Sequence, residues 1–319
     1  MKQARSIEKC SIVFLFVFLF LGCQLQASSD MGYVNQDEAF LAVMDKTKAN
    51  IELFAANEIS FRTLKKEEKI RIQADAILGE FRTSFSRSSK FRKQNIRTAA
   101  SKINQTIVYP GEEFSTCDLL IPFTAENGYL PAGTIVKGKV VNSYGGGVCQ
   151  VATTLYNAVL NAELAVIERH PHSMTVSYIE VGRDAAIAES SMDFRFVNTL
   201  DTPIMVEAIT TNWDELIFRI RGIQKRVIKQ RTVTFETVIL EEVQAGEPVI
   251  EYDETQPKDY IMVTQSARNG YKAELYRIIY EDGVEVERRR INYSEYQASP
   301  QYMIVGNKPE ETKNSNNQE

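Results

Sequence analysis

Only two histidines occur in the 319 residues. They stand two apart, at His170 and His172, so imidazole chemistry is confined to one place. A zinc site takes three or four ligands. Here it would have to draw on both histidines and a distant Cys149, a thin donor set, and neither a metal nor any other cofactor is implied. Basic residues are nowhere dense enough for nucleic acid: Lys and Arg number 37 against 42 Asp and Glu, a net charge of −5. The apolar run at residues 12–21 is too short for a typical membrane span. Cysteines number four.

What is present begins with a targeting segment. Lys2, Arg5 and Lys9 precede the apolar run, and Phe20-Leu21-Gly22-Cys23 resembles a bacterial lipobox. Residues 1–22 read as a signal peptide of lipoprotein type with Cys23 as the lipidated residue; a plain secretory signal and an uncleaved anchor are the alternatives. All three place the mature chain outside the cytoplasm, anchored to the cell membrane or secreted. Export also leaves Cys117 and Cys149 as a potential disulfide pair.

The chain is organised around YGGGVCQVATTLYNAVLNAELAVIERHPHS, residues 144–173. Val148, Val151, Ala152, Leu155, Val159 and Ala162 recur at three- and four-residue steps, predicting a helix with one buried face. Gly145, Gly146 and Gly147 allow a tight turn before it, which puts Cys149 in the first helical turn, where unpaired N–H groups and the helix dipole favour a thiolate. Residues 164–169 read as a strand. His170 and His172 follow across Pro171, and an extended chain would point them to the same side.

Elsewhere, residues 35–55 read as a packing helix opened by a capping box, residues 70–78 as a strand and residues 91–104 as a helix. Met192, Phe194 and Phe196, then Ile204, Val206 and Ala208, then Leu216, Phe218 and Ile220 alternate as an antiparallel meander. After a polar joint at 226–231 a second β-rich unit follows, with Asp282-Gly283 as a hairpin signal. Arg288, Arg289 and Arg290 read as a solvated strand edge, and Asn307 opens a polar tail.

The blocks NIRTAASKINQTIVYPGEEFS, TAENGYLPAGTIV, YGGGVCQVATTLYNAVLNAEL, ERHPHSMTVSYIEVGRDAAI and MDFRFVNTLDTPIMVEA, in that order, closely resemble the VanW family. One departure is at residues 115–123, where the family carries a more polar, glycine-containing loop. Cys117 lies inside it, which weakens the disulfide reading. QSARNGYKAELYRIIYEDGVEVERRR is similar to the G5 domain that follows VanW domains in exported Gram-positive proteins, with Gly246, Gly270, Gly283 and Gly306 as its glycines. The expectation is an α+β protein: a helical region at 23–80, a VanW-like domain at 81–222, a small all-β G5-like module at 223–306 and a tail at 307–319. The resemblance implies a surface role with peptidoglycan or a cell-wall glycopeptide as partner, and no established reaction.

Two functional classes fit. In the first the chain is a thiol peptidase or acyltransferase, because the order of glycine run, cysteine and histidine resembles papain-like and NlpC-type peptidases. Cys149 is then the nucleophile, His170 or His172 the base, and Asp193 or Glu168 the group that orients the imidazole. Backbone near Gly147 and Val148 would serve an oxyanion. Gly145, Gly146, Gly147, Gln150 and Arg183 are the ligand-binding candidates, although Arg183-Asp184 reads first as a structural ion pair. In the second class the chain is a non-catalytic wall-binding or scaffold protein, and Cys149 is a small buried residue.

Overall fold

The computed structural model describes residues 76–136, 139–189, 191–223 and 231–309. The expected signal segment, Cys23, the helix at 35–55, the start of the strand at 70–78 and nearly all of the joint at 226–231 lie outside the described residues.

Strand β1 (Ala76–Ser84) leads to helix α1 (Lys90–Ile103), strands β2 (Thr106–Val108) and β3 (Glu113–Ser115), and a short helix α2 (Thr116–Leu120). A hairpin of β4 (Pro131–Val136) and β5 (Lys139–Tyr144) feeds helix α3 (Val148–Asn161). Strands β6 (Ala165–Glu168), β7 (Arg195–Val197), β8 (Ile204–Thr210) and β9 (Glu215–Gly222) follow. Helix α1 starts where Ser89 caps it, its side chain accepting from the Arg92 N–H. The expected apolar stripe of Ile96, Ala99, Ala100 and Ile103 is its buried face.

An antiparallel sheet in the order β1-β9-β8-β2 carries the core. Helix α3 lies across β1 and β9, and α1 against β8 and α3. The expected apolar face of α3 is buried, but so are Gln150, Thr153, Thr154 and Asn157. Buried polar groups need partners, and each has one. Thr154 Oγ1 lies 2.8 Å from Thr83 Oγ1. Gln150 Nε2 donates to Thr83 Oγ1 and to the Ser84 carbonyl, both at 3.0 Å. Thr153 accepts from the Ala185 N–H at 2.9 Å, and Asn157 Nδ2 donates to the Arg183 carbonyl at 2.7 Å. The helix is enclosed on nearly all sides, with Thr153 and Asn157 turned toward the loop that carries residues 183–185 and Gln150 and Thr154 toward β1.

The expected meander holds only in part. Strands β8 and β9 pair as a hairpin, but β7 leaves them and pairs with β3 and β6 in a separate sheet. Asn198 accounts for the switch. Its Nδ2 donates to the Val108 and Thr202 carbonyls at 2.9 Å, and its Oδ1 accepts from Leu200 N–H at 3.0 Å, turning the chain between the two sheets.

The C-terminal region holds β10 (Arg231–Val243), β11 (Val249–Asp253), β12 (Ile261–Gln265), β13 (Gly270–Glu281), β14 (Val284–Tyr296) and β15 (Tyr302–Gly306). They form two three-stranded sheets, β10-β13-β14 and β11-β15-β12. Asp282 and Gly283 both take positive φ, 49° and 80°, and close the β13–β14 hairpin as the Asp-Gly signal requires. Arg288 and Arg290 pair across strands with Glu236 and Glu274 on the solvated face. With few helices and mostly antiparallel sheets, the fold is α+β.

Candidate active site

The glycine run places Cys149. Gly147 is the N-cap of α3 at φ 111°, a conformation side chains rarely adopt. A Cβ on Gly146 would fall 2.7 Å from the Ala132 carbonyl. Buried Asn95 locks this approach: its amide donates to the carbonyls of Leu130 (2.8 Å) and Gly146 (3.0 Å), and its oxygen accepts from Leu130 N–H (2.8 Å). Cys149 is therefore the second residue of α3, partly exposed, with Sγ 3.5 Å from the Ile187 carbonyl. The N–H of Val148, expected as an oxyanion donor, is used within the turn, on the Gly145 carbonyl. The amide of Cys149 itself belongs to the first-turn set that a helix leaves unpaired.

The two histidines part company. The backbone of His170 pairs with Ala186, and the two rings, expected on one side, take different partners. His170 is half-buried and its Nε2 lies 2.9 Å from Glu168 Oε1. His172 is buried, and Asp184 Oδ2 accepts both its backbone N–H (2.7 Å) and its Nδ1–H (2.6 Å). The Cys149 thiol is near enough for thiol and imidazole to shift each other's titration, and the Tyr178 hydroxyl stands 3.4 Å from Nε2. The outer carboxylate oxygen, Asp184 Oδ1, accepts from Arg169 Nη2 (2.7 Å) and the Tyr296 hydroxyl (2.5 Å).

Electrostatics follow from this arrangement. Burial would raise the Asp184 carboxyl, but the bonds from His172 and Tyr296 and the charge of Arg169 hold it at about 2. Burial would lower His172, but Asp184 and Cys149 lift it to about 9. Burial pushes the Cys149 thiol up, and the His172 bond and charge, the Ile187 backbone and the Arg92 charge more than offset it, leaving the thiol below its ordinary value. Both shifts run in the direction of a thiolate–imidazolium pair. Arg92, half-buried, sits 5.8 Å over the Tyr178 ring and donates to Ser88 (2.6 Å) and Gln150 (2.8 Å).

Other expected site residues lie elsewhere. Asp193 accepts from Ser115 Oγ (2.6 Å) and the N–H groups of Cys117 (2.9 Å) and Phe194 (2.7 Å), at the start of α2 and away from His172. Glu168 faces His170. Arg183 does not pair with Asp184. It donates to Asn157 Oδ1 (2.9 Å) and packs over the Phe81 and Phe235 rings, and Arg169 is the partner of Asp184. Gln150 points into the core. Cys117 and Cys149 are both free. Burial and Asp193 push the Cys117 thiol up, the opposite of Cys149. Among the described residues no three His, Cys, Asp or Glu side chains converge as metal ligands.

A family model described as VanW like protein matches residues 91–221, and one described as G5 domain matches residues 225–308. The chain carries a VanW-like domain followed by a G5 domain. Over 131 residues it is 40% identical to "Uncharacterized protein YoaR" of Bacillus subtilis (strain 168), covering 41% of this chain and 43% of that protein. Over 112 residues it is 30% identical to "Vancomycin B-type resistance protein VanW" of Enterococcus faecalis (strain ATCC 700802 / V583), covering 34% and 41%. The chain thus spans about two-fifths of the curated relatives it matches. Among solved structures, "IgA1 Protease G5 domain structure" is 21% identical with a TM-score of 0.17, over 25% of this chain and 96% of that one. "Crystal structure of HP0197-G5" is 19% identical with a TM-score of 0.14, over 24% and 100%.

Cys149, His172 and Asp184 all belong to the VanW-like domain. Asp184 was legible in principle: it follows His172 by twelve residues within a block that resembles the family. Arg92 and Tyr178 carry no pattern that separates them from surface residues. Tyr296 comes from the G5 domain, and nothing local marks it.

Proposed function

We propose that this chain is an exported cell-envelope protein that acts on peptidoglycan peptides through a thiol site of Cys149, His172 and Asp184. It is held at the membrane by lipid on Cys23. The single observation that supports the chemistry is buried His172, held through Nδ1 by the Asp184 carboxylate and coupled electrostatically to the Cys149 thiol. VanW-like and G5 domains together support a cell-wall partner outside the cytoplasm.

The Cys149 thiolate attacks an acyl carbonyl carbon and forms the C–S bond. Asp184 keeps the proton on Nδ1, so Nε2 of the imidazolium delivers its proton to the departing amine as the C–N bond breaks. His172, now neutral, takes a proton from water or from a second amine, whose attack on the thioester releases the thiolate. Water as acceptor makes a peptidase and an amine an acyltransferase.

The test is turnover of purified muropeptides by the full mature chain, followed by mass spectrometry. Loss or exchange of an amide-linked group that Cys149→Ala and His172→Ala abolish is the expected result. Unchanged muropeptides together with a Cys149 thiol of ordinary reactivity would overturn the reading.

A further inference from the structure

The segment from Ser173 to Arg183, between the imidazole and its carboxylate partner, contains no helix or strand. Its geometry must be fixed from outside, and most of the fixing comes from the G5 domain. Asn292, Ser294 and Tyr296 alternate along β14 and so share one face of the strand. All three turn to the VanW-like domain. Tyr296, 4% exposed, accepts the Gly182 N–H at 2.8 Å and reaches Asp184 Oδ1 at 2.5 Å. An ionised carboxylate only accepts, so the phenol is the donor. Ser294 accepts from Arg169 Nη1 at 2.7 Å, while Nη2 of the same guanidinium holds Asp184. Asn292 Nδ2 donates to the Tyr156 hydroxyl (2.7 Å) and the Gly182 carbonyl (3.0 Å). Further along, Gln297 N–H donates to the Ser173 carbonyl at 2.7 Å, Thr237 Oγ1 to the Val181 carbonyl at 2.8 Å, and Arg268 bonds the Thr175 carbonyl.

We infer that Tyr296 is a positioning residue of the thiol site: its phenol holds Asp184 against His172, and the G5 domain is thereby built into the active centre. The inference rests on the thiol-site reading above. The charged and titratable groups around the pair are Asp184, Arg169, Arg92, Tyr178 and Tyr156 from the VanW-like domain and Tyr296 from the G5 domain. Tyr296 alone among them crosses from one domain to the carboxylate of the other. Without it, Asp184 loses one of the two donors on its outer oxygen, its grip on Nδ1 loosens, and the imidazolium that stabilises the thiolate is weakened.

The experiment is iodoacetamide alkylation of Cys149 across pH in the full mature chain, read by mass spectrometry, with thermal unfolding run on each variant. Tyr296→Phe keeps the ring and removes only the hydroxyl. Its alkylation midpoint moves up by about one pH unit, the scale of one lost charged hydrogen bond. Ser294→Ala moves it up by less, and Tyr293→Phe, on the exposed face of the same strand, leaves it unchanged. A low wild-type midpoint that both Tyr296→Phe and Ser294→Ala preserve overturns the inference and spares the thiol site. An ordinary midpoint in the wild type overturns both. If Tyr296→Phe does not fold, Ser294→Ala decides alone: an unshifted midpoint overturns the inference.

Discussion

Asp184 grips His172 twice with one oxygen, taking both its backbone N–H and its Nδ1–H, at 2.7 and 2.6 Å. A single carboxylate thus sets the position of the main chain and the tautomer of the ring together. With Nδ1 protonated, Nε2 is the nitrogen left for Cys149.

Replacing Asp184 by Asn removes the charge from a site that is 1% exposed and leaves Arg169 unpaired there. Breaking one side of a buried ion pair costs about 3–5 kcal/mol. Denaturant unfolding should show that loss, and Cys149 alkylation at neutral pH should slow about tenfold for each unit its pKa rises. Asp193→Asn should leave the alkylation profile in place, because Asp193 holds α2.

Two titrations set the pH window of stability. His172 is raised to about 9, so its contribution is full below its unfolded value and is lost as pH rises through 9. Asp184 is depressed to about 2, so its contribution is full above its unfolded value and is lost as pH falls toward 2. Urea unfolding across pH should give a plateau between the two unfolded values, 3.8 and 6.5, and fall outward from it toward about 2 and about 9. His172→Ala should flatten the alkaline fall.

Gly147→Ala puts a Cβ 2.9 Å from Ile96 Cγ1 at a φ of 111°. The strain should exceed about 1 kcal/mol. Because Gly147 caps α3, the alkylation midpoint of Cys149 should rise as well. A variant that is less stable but has an unmoved midpoint would separate the turn from the thiol.

Asn95→Ala removes two donors and an acceptor from the glycine turn. Each buried group left unpaired costs about 1–3 kcal/mol, so a large drop in unfolding midpoint is expected by calorimetry. Cys117→Ser should behave oppositely, with little change in Cys149 reactivity, since Asp193 and burial keep that thiol protonated.

The sequence reading succeeded where local pattern decides structure. The three- and four-residue spacing marked α3 and α1 to within a residue, glycine run and Asp-Gly pair marked turns, and the first-turn place of Cys149 followed from the helix start. It failed where distant chain decides. Nothing in the period-two pattern of residues 192–196 says that β7 pairs with β3 and β6. His170 and His172, expected on a shared side, are held by different carboxylates, Glu168 and Asp184, and only His172 is buried. Asp184 was paired in sequence with its neighbour Arg183, yet tertiary packing gave it Arg169, His172 and, from 112 residues away, Tyr296.

The most direct measurement is the pH profile of Cys149 alkylation in the full mature chain beside His172→Ala and His170→Ala. The account predicts a wild-type midpoint below that of an ordinary thiol, moved up by His172→Ala and untouched by His170→Ala. An ordinary profile that neither variant changes would contradict it and leave Cys149 a packing residue.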